Sequence, residues 1–269
     1  GLGDIDIDET GNNLWGVNIN TGNQSIFKLD VSAATPGTFV NYPLSGFTGL
    51  PTCTNGVFRP WALAFNNGLG YLGGVCSAET AGVRNDLRGY VLSFNPASPT
   101  TFTTVLDIPL NYNKGIVYND ATGANRSPLN STQWYPWIDT YSDTNFNMPS
   151  AAVRLARPTP IMSDLEFDSN NSMSIGFLDR ATSQIGYLNY RPIAADTTIR
   201  ASFQGGDILK ACESGGIWSV ENNGSCGSQT GSGIANTQGP GNGEFYAQDM
   251  IDLGGGSSHN EISSGSLAN

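Results

Sequence analysis

The sequence predicts an all-β protein of β-propeller type, built from repeated four-stranded antiparallel blades and interrupted by long irregular insertions. Three observations carry this expectation. Among 269 residues there are 34 Gly and 14 Pro, with 10% aromatic and only 13% charged residues. That balance suits short strands and turns better than helices, which draw on Ala, Glu, Lys and Leu. The chain also breaks into short runs of period-2 alternation bounded by Gly, Asn, Asp or Pro, the pattern of strands joined by tight turns. Finally, the same order of runs returns along the chain, and a strand unit of roughly 40–50 residues that repeats is how propeller blades look in sequence.

The first unit reads GDIDID, NNLWGVNI, QSIFKLDV and GTFVNYPL; the second reads PWALAFN, GLGYLGGV, RGYVLSFN and TTFTTVLDIPL. The third reads SDLEFDS, NSMSIGFLD and QIGYLNYRP, where the pattern loosens. These place blades at about 1–46, 59–112 and 161–212. Asp8 to Asn13, Asn66 to Gly68 and Asp168 to Asn171 then become the turns between first and second strands. Asp and Asn suit such turns because they bond their own backbone and tolerate left-handed geometry.

Residues 113–160 hold no clean ladder, but they carry Trp134, Tyr135, Trp137 and Tyr141. Within an irregular stretch at 206–258, GDILKACES and GGIWSVENNGSC read as a strand pair clipped by a bridge, followed by a Gly-rich run. The closing HNEISSGSLAN again resembles a first strand. Propellers use about four to eight blades. The expectation is therefore one propeller-like domain or part of one, with the ring completed in a longer protein, the alternative being blades hidden in the irregular stretches. The lack of an initiator Met or charged leader reads the same way, as a processed or partial chain.

With 12 Lys and Arg against 23 Asp and Glu, a formal net charge of −11, the chain lacks the dense basic surface that nucleic acid requires. No apolar run is long enough to span a membrane as a helix. The four cysteines, Cys53, Cys76, Cys212 and Cys226, fall as two local couples without zinc spacing. They predict bridges Cys53 to Cys76 and Cys212 to Cys226 and an oxidising, extracellular or cell-surface setting, against the alternative of four free thiols in a cytosolic protein. Sequons at Asn23, Asn125, Asn130, Asn170 and Asn223 are expected by chance in so Asn- and Ser-rich a chain.

The segments RPWALAFNNGLGYLGGVCSAE, PIMSDLEFDSN, GDILKAC, GPGNGEFYAQD, HNEIS and GSLA resemble the propeller-like region of large secreted bacterial surface proteins, adhesin-like chains in which that region precedes SdrD-type B-repeat or other Ig-like modules. The resemblance implies an exported, non-enzymatic role in adhesion or the cell envelope, and it supplies no catalytic residues.

Alternation puts Asp4 and Asp6 on one side of their strand, and Asp164 and Glu166 on one side of theirs. If both strands line one channel, like charges at close range call for a raised pKa or a cation, with Ca²⁺ the one cofactor candidate. The alternative is that the acids bond backbone amides of adjacent blades or face water. The spacing lacks the Gly and terminal Glu of an EF-hand loop. Glu166 with Asp164 or Asp6 also has the makings of a glycosidase pair. The lone His259, near Asp249, Asp252 and Glu261, has no second His for zinc, and no Ser or Cys of the chain sits in a nucleophile-elbow context such as G-x-S-x-G. No nucleotide or haem motif is present. Trp134, Tyr135, Trp137 and Tyr141 are the candidate partner-binding surface, since indole and phenol faces stack on sugars or anchor proteins; the competing reading is that they form a mini-core under a long loop. The functional expectation is a non-enzymatic extracellular propeller acting in adhesion, envelope assembly or protein or glycan binding, within a larger extracellular assembly. The alternatives are a calcium-dependent carbohydrate-binding module and a secreted propeller hydrolase of glycosidase or lactonase type.

Overall fold

The structure, a computed structural model, describes residues 1–119, 132–142, 154–247, 251, 252, 258, 259, 263, 265 and 267. The protein is all-β, with several four-stranded antiparallel sheets and one short helix among the described residues. The first sheet is a meander of β1 (Leu2–Ile7), β2 (Asn13–Asn18), β3 (Ser25–Asp30) and β4 (Phe39–Pro43). The second repeats it with β5 (Phe58–Asn66), β6 (Leu69–Cys76), β7 (Arg88–Phe94) and β8 (Thr103–Pro109). Two short strands follow, β9 (Tyr118–Asn119) and β10 (Arg154–Leu155).

In the third sheet, β11 (Pro160–Phe167) and β12 (Met173–Asp179) lead into helix α1 (Arg180–Ile185) and the hairpin β13 (Asn189–Tyr190) and β14 (Ile199–Ser202). The sheet is completed by β15 (Asp207–Ser214) and β16 (Ile217–Val220), in the order β11-β12-β15-β16. The strand pair expected around Cys212 is therefore the outer half of this sheet. The run QIGYLNYRP, expected as its third strand, instead ends α1 and forms β13. The reason is local: Asp179 caps the helix by accepting from Ala181 N at 3.0 Å, which turns the chain out of the sheet before those residues can pair. Beyond it lie β17 (Ser225–Cys226), β18 (Gln229–Thr230), β19 (Ile251–Asp252) and β20 (Ser258–His259). The last pairs with β19 and β9, so HNEIS begins on a small separate sheet and does not start as a first strand.

The three first strands share one device. The register of β1, β5 and β11 against their second strands slips between Leu2 and Ile5, between Pro60 and Leu63, and between Met162 and Asp164. Such bulges bend a strand and re-aim its side chains. The bends bring the first strands together, with β5 packed against both β1 and β11. A Cβ on Gly3 would stand 3.1 Å from the Trp61 carbonyl oxygen, so glycine lets the β1 backbone lie this close to β5 without displacing its neighbour by a few tenths of an ångström. At the far ends, the expected turns form. Asn67 and Gly68 take φ of 52° and 76° in the two-residue turn between β5 and β6, as hairpins that match strand twist require.

Consecutive sheets are stitched by side chains reaching across. Asp4 Oδ2 accepts from Leu63 N at 2.9 Å, and Glu9 accepts from Asn67 N at 2.8 Å and Gly68 N at 2.5 Å. Asn66 and Asn67 donate to Asn171 Oδ1 at 2.6 and 2.9 Å. Beside β11, Asp164 Oδ2 accepts from Leu267 N at 2.7 Å, the same bond that Asp4 makes to Leu63.

Trp15, Val17 and Ile26 of the first sheet pack on Leu63, Leu72 and Leu92 of the second. The other face of the second sheet, with Ala64, Tyr71, Val91 and Leu106, packs on Leu165, Ile175, Phe177 and Leu209 of the third. The middle sheet is thus covered on both faces, which is why WALAF reads as continuous apolar rather than alternating. Register makes Ile5, Leu63 and Leu165 equivalent. Leu63 and Leu165 are 1% and 2% exposed, each against a preceding sheet, whereas Ile5 is 51% exposed. Both expected bridges are present, Cys53–Cys76 and Cys212–Cys226, with Cα atoms 5.3 and 5.7 Å apart. No described helix is long and apolar enough to cross a membrane.

Candidate functional site

The first strands β1 and β11 hold the four carboxyls singled out in the sequence close enough for their charges to act on one another. Burial pushes Asp4 up to about 7, against the pull of the Leu63 N–H and with the charge of Asp164 adding to it. Burial likewise raises Asp6, whose bonds from Ile7 and Phe65 N–H work against it, and raises Asp164 against the Leu267 and Leu165 N–H groups. Glu166 is raised by burial and then by the charges of Asp164 and Asp6. Asp4 and Asp164 therefore bond backbone amides of the adjoining segment. Among the described residues, no group of three or more His, Cys, Asp or Glu side chains converges as a metal cage. Asp249, Glu261 and the side chains of Asp252 and His259 lie outside the described residues, as do Asn125 and Asn130.

The aromatic residues divide. Trp134 is fully buried between the second and third sheets, with its ring centroid 5.8 Å from that of Phe177 and its Nε1 donating to Tyr112 Oη at 3.2 Å. Its indole is enclosed in the core, so as a partner-binding residue it is corrected to a structural one. Tyr135 is half-buried under the Arg157 guanidinium, 4.7 Å from its ring. Trp137 is fixed at both ends, its backbone N–H donating to Ser77 O at 3.0 Å and its Nε1 to Pro160 O at 2.8 Å.

So held, Trp137 is one wall of a cleft of about 300 Å³ at the end where β5 and β11 enter their sheets. The first sheet contributes Ile19, Thr21 and Gln24, and β5 contributes Arg59, Pro60 and Trp61. The third sheet adds Ile161 and Leu178, which pair across β11 and β12. Helix α1 adds Arg180, Ser183 and Gln184. Two guanidinium carbons lie over the Trp137 ring, that of Arg180 at 4.4 Å and that of Arg59 at 5.2 Å. Arg59 is paired, through Nη2 to Glu79 at 2.8 Å, and Nη1 reaches Thr21 Oγ1 at 3.3 Å. Arg180 donates from Nη1 to Ile138 O at 3.2 Å. Burial and then the charge of Arg59 lower its pKa, though an arginine remains charged at any ordinary pH. A second hollow shares Arg180 and Gln184 and is lined by Tyr141, Ile138 and Asp139.

Sequence reasoning reached Trp137 and Tyr141 as exposed-type aromatics but missed Arg59 and Arg180. The available signal was weak: Arg59 directly precedes the blade segment PWALAFN and Arg180 directly follows NSMSIGFLD, with only 12 basic residues to choose from.

Fold and site together describe an all-β, disulfide-bonded protein of repeated four-stranded sheets with an aromatic, arginine-bearing cleft at the entry of its first strands. Searched against family models, the chain matches none. It is similar to three proteins of Dictyostelium discoideum. To Colossin-A it is 32% identical over 195 residues, covering 70% of this chain and 1% of that protein. To Colossin-B it is 30% identical over 266 residues, covering 93% of this chain and 6% of that protein. The likeness to Colossin-C is 28% over 183 residues, covering 65% of this chain and 15% of that protein. The chain thus spans only a small fraction of the length of these relatives. These matches overturn the resemblance to bacterial surface proteins, because the similarity runs to proteins of a eukaryote. Blade punctuation, Gly and Asn turns between alternating strands, is common to many repeat sheets and does not discriminate lineage.

Proposed function

We propose that this chain is a β-propeller-type binding module of the cell exterior, acting by recognition of a glycan or protein rather than by chemistry. The observation that carries the reading is the cleft beside Trp61 and Trp137, where half-buried indoles and two guanidinium groups meet at the entry of the first strands. Large aromatic faces with fixed cationic neighbours are typical of recognition hot spots. An extracellular setting is supported by the two disulfides, since such bonds persist in oxidising compartments. The propeller reading is supported by the sequential stitching of the first sheet to the second by Asp4 and Leu63, and of the second to the third by Asn66, Asn67 and Asn171. It is supported further by the open face of the first sheet, where Ile5, Ile7 and Phe39 are 51%, 50% and 59% exposed at positions equivalent to those that other sheets bury against a neighbour.

The test is to probe arrays of glycans and of extracellular proteins with the disulfide-intact chain and with Trp61→Ala. Binding to a subset of probes, lost in the variant while its thermal unfolding is unchanged, is the expected result. Absence of binding, or binding indifferent to Trp61, overturns the reading.

A further inference from the structure

The cleft differs in charge from the protein that carries it. The chain has a formal charge of −11, yet the cleft lining holds two arginines and no Asp or Glu. The two cations are not equivalent. Arg59 is neutralised by Glu79 at 2.8 Å. Among the described residues, Arg180 has no carboxylate within ion-pair distance; Asp139 and Glu79 act on it only at longer range, and its guanidinium donates one hydrogen bond, to the Ile138 carbonyl. A guanidinium carries five N–H donors in a planar fork, so Arg180 keeps donors to spare beside the cleft. Two like charges stacked over one indole repel, and an anion between them relieves that repulsion while taking up unused N–H groups.

The rest of the lining sets what the anion is attached to. Trp61, Trp137, Pro60, Ile161 and Leu178 offer apolar faces, and Thr21, Gln24, Ser183 and Gln184 offer neutral hydroxyls and amides. A volume of about 300 Å³ stands at the small end for ligand pockets, enough for a ring-sized residue rather than a length of folded peptide. Apolar faces for ring C–H groups, neutral polar groups for hydroxyls and one planar cation without an ion-pair partner among the described residues together describe an acidic sugar.

Resting on the binding reading above, we propose that the cleft is a subsite for a carboxylate-bearing pyranose, with the Arg180 guanidinium taking the carboxylate and Trp61 and Trp137 taking the ring. Arg180 is then the residue that selects acidic over neutral sugars. Helix α1, whose Asp179 cap fixes its first turn, is the element that presents it.

The test titrates the full chain, disulfides intact and at low salt, with glucuronic acid, glucose, a sulfated glucose and a short peptide bearing a free C-terminal carboxylate. Calorimetry and tryptophan fluorescence read the binding. Glucuronic acid is expected to bind at least about tenfold more tightly than glucose, the effect of one charge-assisted pair. Arg180→Gln is expected to abolish that preference and Arg180→Lys to keep part of it, with circular dichroism unchanged in both. Equal binding of glucuronic acid and glucose overturns the assignment, as does a preference that survives Arg180→Gln. Preference for the sulfated sugar, or binding of the peptide alone, also overturns the carboxylate-sugar assignment. If array probes bind in a Trp61-dependent way while glucuronic acid does not, the acid class falls and the binding reading stands; if no probe binds, both fall.

Discussion

Within β1 and β11, on the entry side of each exit turn, Asp4 and Asp164 are held above the ordinary carboxylate range; just past the exit of the same strands, Asp8 and Asp168 are held below it. All four residues are Asp, and in both strands they stand in the same order. The difference lies in what surrounds them. Entry carboxyls are buried beside other acids and satisfied by backbone N–H groups, so burial prevails. Exit carboxyls feel burial as well, but more donors outweigh it. Asp8 receives bonds from Thr10 Oγ1 at 2.6 Å, Asn13 Nδ2 at 2.7 Å and Trp15 Nε1 at 3.3 Å. Asp168 receives the Lys210 ammonium at 2.6 Å together with Ser172 N at 3.0 Å and Asn170 N at 2.8 Å. One end of each strand therefore stores an electrostatic cost, and the other anchors the turn and the next strand.

The comparison is broken most severely at Asp168. Its partner Lys210 is 4% exposed in its side chain, so Asp168→Ala leaves a buried ammonium unpaired. A loss of about 3 kcal/mol is expected in urea unfolding at pH 7; a loss near zero would mean that the pair is no anchor. Asp8→Ala comes next, at about 2 kcal/mol, because the buried Trp15 Nε1 loses its acceptor. Asp8→Asn should recover part of that loss, which separates the bond to the indole from the charge.

The smallest effect falls at the entry end and appears as a change of pH dependence. Asp4 titrates at about 7 in the fold and near 3.9 in an unfolded chain. Between those values the folded state holds a proton that the unfolded state has released, so the stability is fully present below about 3.9, falls as pH rises from there, and is wholly lost above about 7. Asp8 and Asp168 act in the opposite sense. Their contribution is complete above the unfolded value and falls away as pH drops through their lowered folded values. Asp4→Asn is expected to raise the melting temperature at pH 8 relative to the parent chain and to leave it nearly unchanged at about pH 3.5, below both values. Equal shifts at both pH values would show that Asp4 is charged throughout.

The reach of sequence reasoning follows the same division. The exit acids were legible because turn chemistry is local: an Asp with Asn or Gly a few residues on bonds its own backbone whatever packs above it. The pooling of the entry acids was also foreseeable, since alternation fixes the side of a strand. Their partners were not, because Leu63 N and Leu267 N belong to other segments of the chain. Trp134 and Trp137 show the limit plainly. Three residues apart in one irregular stretch, they read alike, yet one is enclosed against Phe177 and the other faces a cleft.

The order of strands in the first two sheets, the hairpin at Asn67 and Gly68 and both cysteine pairings were determined by the amino-acid sequence alone. Each depends on neighbours within a turn or a strand pair, where residue type fixes φ or the face presented. Tertiary structure decided that 207–214 and not 184–192 supplies the third strand of the third sheet. It also decided that the middle sheet is covered on both faces, and that Arg59 and Arg180 meet over one indole. Those outcomes depend on how separately formed sheets stack, and stacking is governed by bulges, close backbone approach and the summed burial of faces, which no single window of sequence contains.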